Sequence, residues 1–268
     1  MTLVIIKGSD KSGHYGHRGR PGQVGGSHPG SLTSSKKISS KFFKTTKWKN
    51  ITSTLTDEQR GIVEMSLRDV SANHLATLSK ITTEGHPDAT VDWLSEPDLL
   101  GFYHKIERSI HLNPENNNVG FHMATITHEL GHHVQAIATS DREVRVLRRL
   151  YDRIKAEAFR DFGEPNPAGR GLVLSSEGNS WLYSMGLRPY SIVSAREFFA
   201  DVYKEVIYKR DPAFSGGNIP GRNAQFSKLS TEIQRENSRW FPNDPELTLD
   251  ILFRHNLSLG AHLQVLGL

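Results

Sequence analysis

In Thr127-His-Glu-Leu-Gly-His-His133, two histidines stand four residues apart with a glutamate beside the first. On a helix, His128 and His132 would share one face, one turn apart. Two neutral imidazoles so placed can bind one Zn²⁺, each at ~2.0–2.1 Å. Glu129 would lie next to that face, where a carboxylate can take the proton of a water attacking a carbonyl. A divalent metal would lower the pKa of that water. Ile126, Leu130, Val134 and Ile137 form an apolar stripe roughly opposite the histidines. The pattern predicts a helix over about 119–138, buried on one side and lining a cleft on the other. Gly131 costs such a helix about 1 kcal/mol, which fits a close approach by another element.

Zinc in a hydrolytic site takes a third protein ligand and keeps a fourth position open. The best candidate is Glu197, in Glu197-Phe-Phe-Ala-Asp201. Ser194-Ala-Arg-Glu197 has the form of a capping box, opening an apolar helix that runs to about Lys209. Glu197 and Asp201 share a face of it, and a carboxylate in so apolar a helix is costly unless paired or bound to a metal. Asp201 then suits a supporting role, accepting a hydrogen bond from a ligating imidazole. His133, His122, Glu205 and Asp201 are rival third ligands. His133 points about 100° away from His132, which suits a structural role better.

Outward from these two helices, the chain reads as α+β. Thr56-Asp-Glu-Gln59 is a capping box opening a helix over about 57–72, and Ser140-Asp-Arg-Glu143 opens another with Val144, Leu147, Tyr151, Ile154 and Ala158 on its apolar face. Leu75–Thr83, Leu99–His104 and Ser109–Asn113 read as extended, the last two as a hairpin. An edge strand at Ser109–Asn113 would suit pairing with an extended peptide, with His111 near the cleft. Residues 163–190, with their glycines and prolines, read as a long loop. Shorter helices are expected over 225–239 and 245–255.

Of the 268 residues, 36% are hydrophobic and 23% charged, enough apolar content for a core. There is no cysteine, which excludes disulfides, iron–sulfur clusters and thiolate zinc sites. No apolar run approaches the ~20 residues of a membrane span, and the four-residue run near the N-terminus falls short of the roughly 7–15 of a secretory signal. The expectation is a chain made soluble in a cytoplasm, with no membrane partner. Charge is uneven: residues 1–50 carry +9 and residues 51–268 carry −5. The expected organisation is therefore a disordered basic Gly/Ser/Lys-rich arm over 1–50 and a folded domain over 51–268, with Trp48 near the boundary. The arm suits weak contact with nucleic acid or a virion through phosphates and other anions.

The constellation of His128-Glu-Leu-Gly-His132, the preceding strand-like Ser109-Ile-His-Leu-Asn-Pro114, and the later Tyr190, six residues, Glu197-Phe-Phe-Ala resembles the gluzincin metallopeptidases. It is most like the catalytic domain of anthrax lethal factor-type peptidases, over roughly residues 95–210. The resemblance implies a zincin-like fold with a small mixed or antiparallel sheet packed on helices, the active-site helix among them. It implies Zn²⁺ on His128, His132 and Glu197, Glu129 as the general base, and Tyr190 donating to the oxyanion. From the residues alone Tyr190 reads equally as a packing residue, with Tyr183 its nearest competitor. Asp201 departs from the family, which has Glu there, and the 65-residue interval from His132 to Glu197 and the basic arm leave the substrate open. Gly16-His-Arg-Gly-Arg-Pro-Gly-Gln-Val-Gly-Gly-Ser27 resembles a short tract of phage head-morphogenesis proteins and implies a phage or prophage origin. The expected function is a zinc endopeptidase acting on a protein or peptide. The alternatives are a peptidoglycan cross-link peptidase, or a virion- or DNA-associated structural protein working through its arm.

Overall fold

The computed structural model describes residues 4–7, 44–75, 77–85, 99–114, 123–137, 140–167, 171–210, 221–244 and 246–253. It is a mixed α+β fold with small sheets. The chain divides into two compact units, Met1–His133 and Val134–Leu268, and the division falls inside one helix.

The first unit holds a four-stranded sheet of β1 (Val4–Lys7), β2 (Lys80–Thr82), β3 (Leu99–His104) and β4 (Ser109–Leu112), in the order β1-β3-β4-β2. β3 and β4 form the expected antiparallel hairpin, Gly101 facing Leu112 and His104 facing Ser109. β2 lies parallel to β4, so the sheet is mixed. Having a neighbour on each side, β4 is not the edge strand expected from the sequence, and its backbone is committed to the ladder. His111 is likewise fully buried, stacked on Phe102 with ring centroids 4.6 Å apart, its Nε2 2.8 Å from Ser109 Oγ and its Nδ1 2.7 Å from the Glu84 carbonyl. Among the described residues it packs the sheet.

Helices α1 (Thr46–Ile51), α2 (Asp57–Ser66) and α3 (Ala72–Leu75) complete this unit with the first part of α4 (Met123–Ile137). The capping box of α2 forms as read, Thr56 accepting from Gln59 N–H and the Gln59 side chain accepting from Thr56 N–H. The helix stops at Ser66, short of 72, and Leu75 closes a helical turn, leaving only Lys80–Thr82 extended. Within the expected arm, Val4–Lys7 pairs antiparallel with β3, and α1 buries Trp48, whose indole N–H donates to Glu64 at 3.0 Å. The Gly16–Ser27 tract and His122 lie outside the described residues.

α4 packs directly on the sheet. A Cβ at Gly101 would come within 2.9 Å of the His111 carbonyl oxygen and 3.3 Å of Thr125 Cγ2, so a glycine is what lets helix and strand approach. Every side chain from Ala124 to Val134 is buried. The one-sided burial expected from the apolar stripe is therefore not what is seen. On that polar face Thr127 Oγ1 donates to the Met123 carbonyl at 2.7 Å, and both ring nitrogens of His133 are engaged.

The second unit is built on α5 (Asp141–Phe162), which opens with the expected Ser140/Glu143 capping box. Val146, Leu147, Leu150, Ile154 and Ala158 are buried along it, whereas Val144 is exposed. The expected loop over 163–190 proves structured. It holds a short antiparallel hairpin, β5 (Gly163–Pro165) with β6 (Leu172–Leu174), then α6 (Ser176–Tyr183) and a 3-10 turn, Pro189–Ile192. Gly178 hides α6 from a propensity reading, and the structure supplies its reason: a Cβ there would meet Phe162 Cβ at 2.7 Å. α7 (Ala195–Arg210) and α8 (Arg222–Trp240) follow, α8 longer than the 225–239 expected. Within the expected 245–255 helix the described residues form turns rather than a helix, with Phe253 at φ +61°. The start of α5 and the turn ending at Phe253 are joined through Glu143, whose Oε1 accepts from Phe253 N–H at 2.6 Å.

Candidate metal centre

α4 carries His128 and His132 at the i, i+4 spacing that stacks them on one face. Their rings meet edge to face with centroids 4.9 Å apart. His128 and Glu129 have no exposed surface and His132 has 1%. α7 carries Glu197 in its first turn, where its N–H donates to Ser194 Oγ at 3.2 Å, half of the expected capping box.

One ligand atom from each of His128, His132 and Glu197 lies within 4.8 Å of the other two, and all three residues are buried. Among the described residues this is the group of histidines and carboxylates that can hold a metal ion. Two imidazole nitrogens and one carboxylate oxygen form a donor set of borderline-soft and hard ligands suited to a first-row divalent ion, and three ligands leave a position for another molecule. Two buried imidazoles and a buried carboxylate within reach of one another are the side chains that ligate such an ion, so the residues fit a bound metal.

The rival third ligands among the described residues are engaged elsewhere. His133 Nδ1 lies 2.9 Å from Tyr103 Oη and its Nε2 3.2 Å from Thr77 Oγ1. Burial, reinforced by the charges of Arg108 and His74, pushes its pKa down to about 3, so it stays neutral and fixes how α4 sits on the sheet. Glu205 pairs with Arg222 and lies 3.5 Å from Lys204.

Asp201, fully buried one turn beyond Glu197, accepts hydrogen bonds from Arg188 Nε at 3.0 Å and Nη2 at 2.7 Å, from Lys204 Nζ at 3.1 Å, and from Ser191 Oγ. Burial opposes the charge on Arg188. The Asp201 carboxylate, with further pull from Glu197 and Tyr208, nevertheless holds its pKa above the ordinary guanidinium value. Tyr190 lies in the 3-10 turn between Arg188 and Ser191 and is half-buried. Tyr183, its competitor, ends α6, and Gln225 Nε2 donates to its carbonyl at 2.9 Å.

Sequence reasoning thus named the three residues of the cluster and missed the cations around Asp201. Lys204 was within reach of a reading, three residues from Asp201 on one helix face. Arg188 had no local signal, being thirteen residues away across a turn. Among the described residues no helix is long and apolar enough to cross a membrane. Comparison of the chain with protein-family models, curated proteins and solved structures gave no match.

Proposed function

We propose that this chain is a zinc-dependent endopeptidase of the gluzincin type, with a zincin-like fold, that cleaves a protein or peptide substrate. One observation carries the reading: the buried approach of His128, His132 and Glu197, with Glu129 next to the first histidine on the same helix. A bound Zn²⁺ would supply Lewis acidity and lower the pKa of a water at its open position. Glu129 takes the proton of that water as it attacks the peptide carbonyl and passes it to the leaving amine. Tyr190 donates a hydrogen bond to the carbonyl oxygen as charge develops there. The motif spacing that resembles lethal factor-type peptidases supports these roles, and the glycine-rich tract supports a phage or prophage origin.

Elemental analysis of the purified protein tests the metal. About one zinc per chain is expected, and much less in Glu197→Ala. Glu129→Gln should keep its zinc and lose peptide cleavage. A folded parent that takes up no zinc when it is supplied refutes the reading, as does a Glu129→Gln variant that cleaves at the parent rate.

A further inference from the structure

Asp201 is held by donors from two elements, its own helix and the 3-10 turn before it. Lys204, on its own helix and 3.1 Å away, already supplies a cation. The remaining donors come from the 3-10 turn. Arg188, just ahead of the turn, grips both carboxylate oxygens with its guanidinium fork, the bidentate geometry that fixes orientation as well as distance. Ser191, inside the turn, donates to Asp201 and accepts from the Arg188 N–H at 2.8 Å. Tyr190 stands between these two attachment points. At the other end, Asp201 lies four residues after Glu197 on α7, on the same face.

We propose that Arg188 and Ser191 are positioning residues that, acting through Asp201, fix the turn carrying Tyr190 onto the helix carrying Glu197. What Tyr190 does rests on the peptidase reading; the tie itself does not. The turn cannot rotate about α7 without breaking the fork and the serine hydrogen bond together. A phenol aimed at a reacting carbonyl loses its effect when displaced by about an ångström, so this tie bears on rate more than on substrate binding.

The test uses the full chain, zinc-loaded, with Ser191→Ala and Arg188→Lys, each alone and combined with Tyr190→Phe. Cleavage is followed on an internally quenched peptide selected from a fluorogenic library. Ser191→Ala is expected to lower kcat about tenfold and to leave KM within about twofold. In the Tyr190→Phe background the same change should cause no further loss, because its effect passes through the phenol. Arg188→Lys, which loses the fork, should cost more than Ser191→Ala. A second readout is independent of turnover. In protein labelled with 3-fluorotyrosine, the Tyr190 fluorine resonance, assigned by its absence in Tyr190→Phe, should shift or split in both variants. Equal fold losses with and without the phenol overturn the proposal, as does an unchanged kcat. If the parent cleaves no peptide, the peptidase reading falls and the fluorine resonance decides the tie by itself: a shift or split supports it and an unchanged line in both variants overturns it.

Discussion

Acidification should destabilise this protein through His133, and the effect can be sized. The ring is fully buried between Tyr103 and Thr77, and its pKa is about 3 in the folded chain against 6.5 for the free side chain. A histidine whose folded pKa is depressed contributes stability that is fully present above 6.5 and lost as pH falls from there toward 3. Each pH unit across that window removes about 1.4 kcal/mol, so moving from pH 7 to pH 5 removes about 2 kcal/mol from this group. His133→Gln lacks the titration. At pH 7 it should be less stable than the parent by about 1–3 kcal/mol, since an amide cannot satisfy both Tyr103 and Thr77 as the imidazole does. Between pH 7 and pH 5 the gap should close by about 2 kcal/mol. Urea unfolding followed by circular dichroism, in metal-free buffer at both values, measures it. Groups that do not interact with His133 are common to both proteins and drop out of the difference. A gap that stays constant to within about 0.5 kcal/mol would show that His133 is not held neutral by burial and would remove the account of how α4 is fixed on the sheet.

Gly101→Ala should lower stability by about 1–3 kcal/mol, because the new methyl meets the His111 carbonyl oxygen at 2.9 Å and backbone must move; calorimetry on the variant checks it. Arg153 donates to Glu157, Glu232 and Glu236, and Glu236 is 3% exposed. Arg153→Met should therefore cost about 2–3 kcal/mol at neutral pH, measured by urea unfolding, whereas Arg148→Met, whose pair with Asp152 is exposed, should cost less than about 1 kcal/mol. Zinc added to chelated protein at about 100 times its dissociation constant should stabilise the fold by about 2.7 kcal/mol, a rise in Tm of roughly 5–10 °C. The same addition should do far less for Glu197→Ala, and a variant that responds like the parent would place the third ligand elsewhere.

The features legible in the amino-acid sequence were those made by residues within about four positions of one another. The capping boxes at Thr56/Gln59 and Ser140/Glu143 formed as read, because both halves of each lie on one helical turn. The β3–β4 hairpin and the edge-to-face meeting of His128 and His132 follow from equally short intervals. Glu197 was found from further away, by the cost of a carboxylate in an apolar helix and by a family spacing. Where a local signal and a tertiary one conflicted, the local reading failed. The glycines and prolines of 163–190 argued for a loop, but Gly178 sits inside α6 because Phe162 leaves no room for a Cβ.

Tertiary structure alone decided the rest. It gave β4 a parallel neighbour in β2, which removed the free edge, and it buried both faces of α4. It also brought Arg188 across a turn to Asp201. Strand neighbours, the far side of a buried helix and the cation that answers a buried carboxylate are chosen by which surfaces meet when the chain folds back on itself. Periodicity and capping carry that information only as far as the next turn of helix.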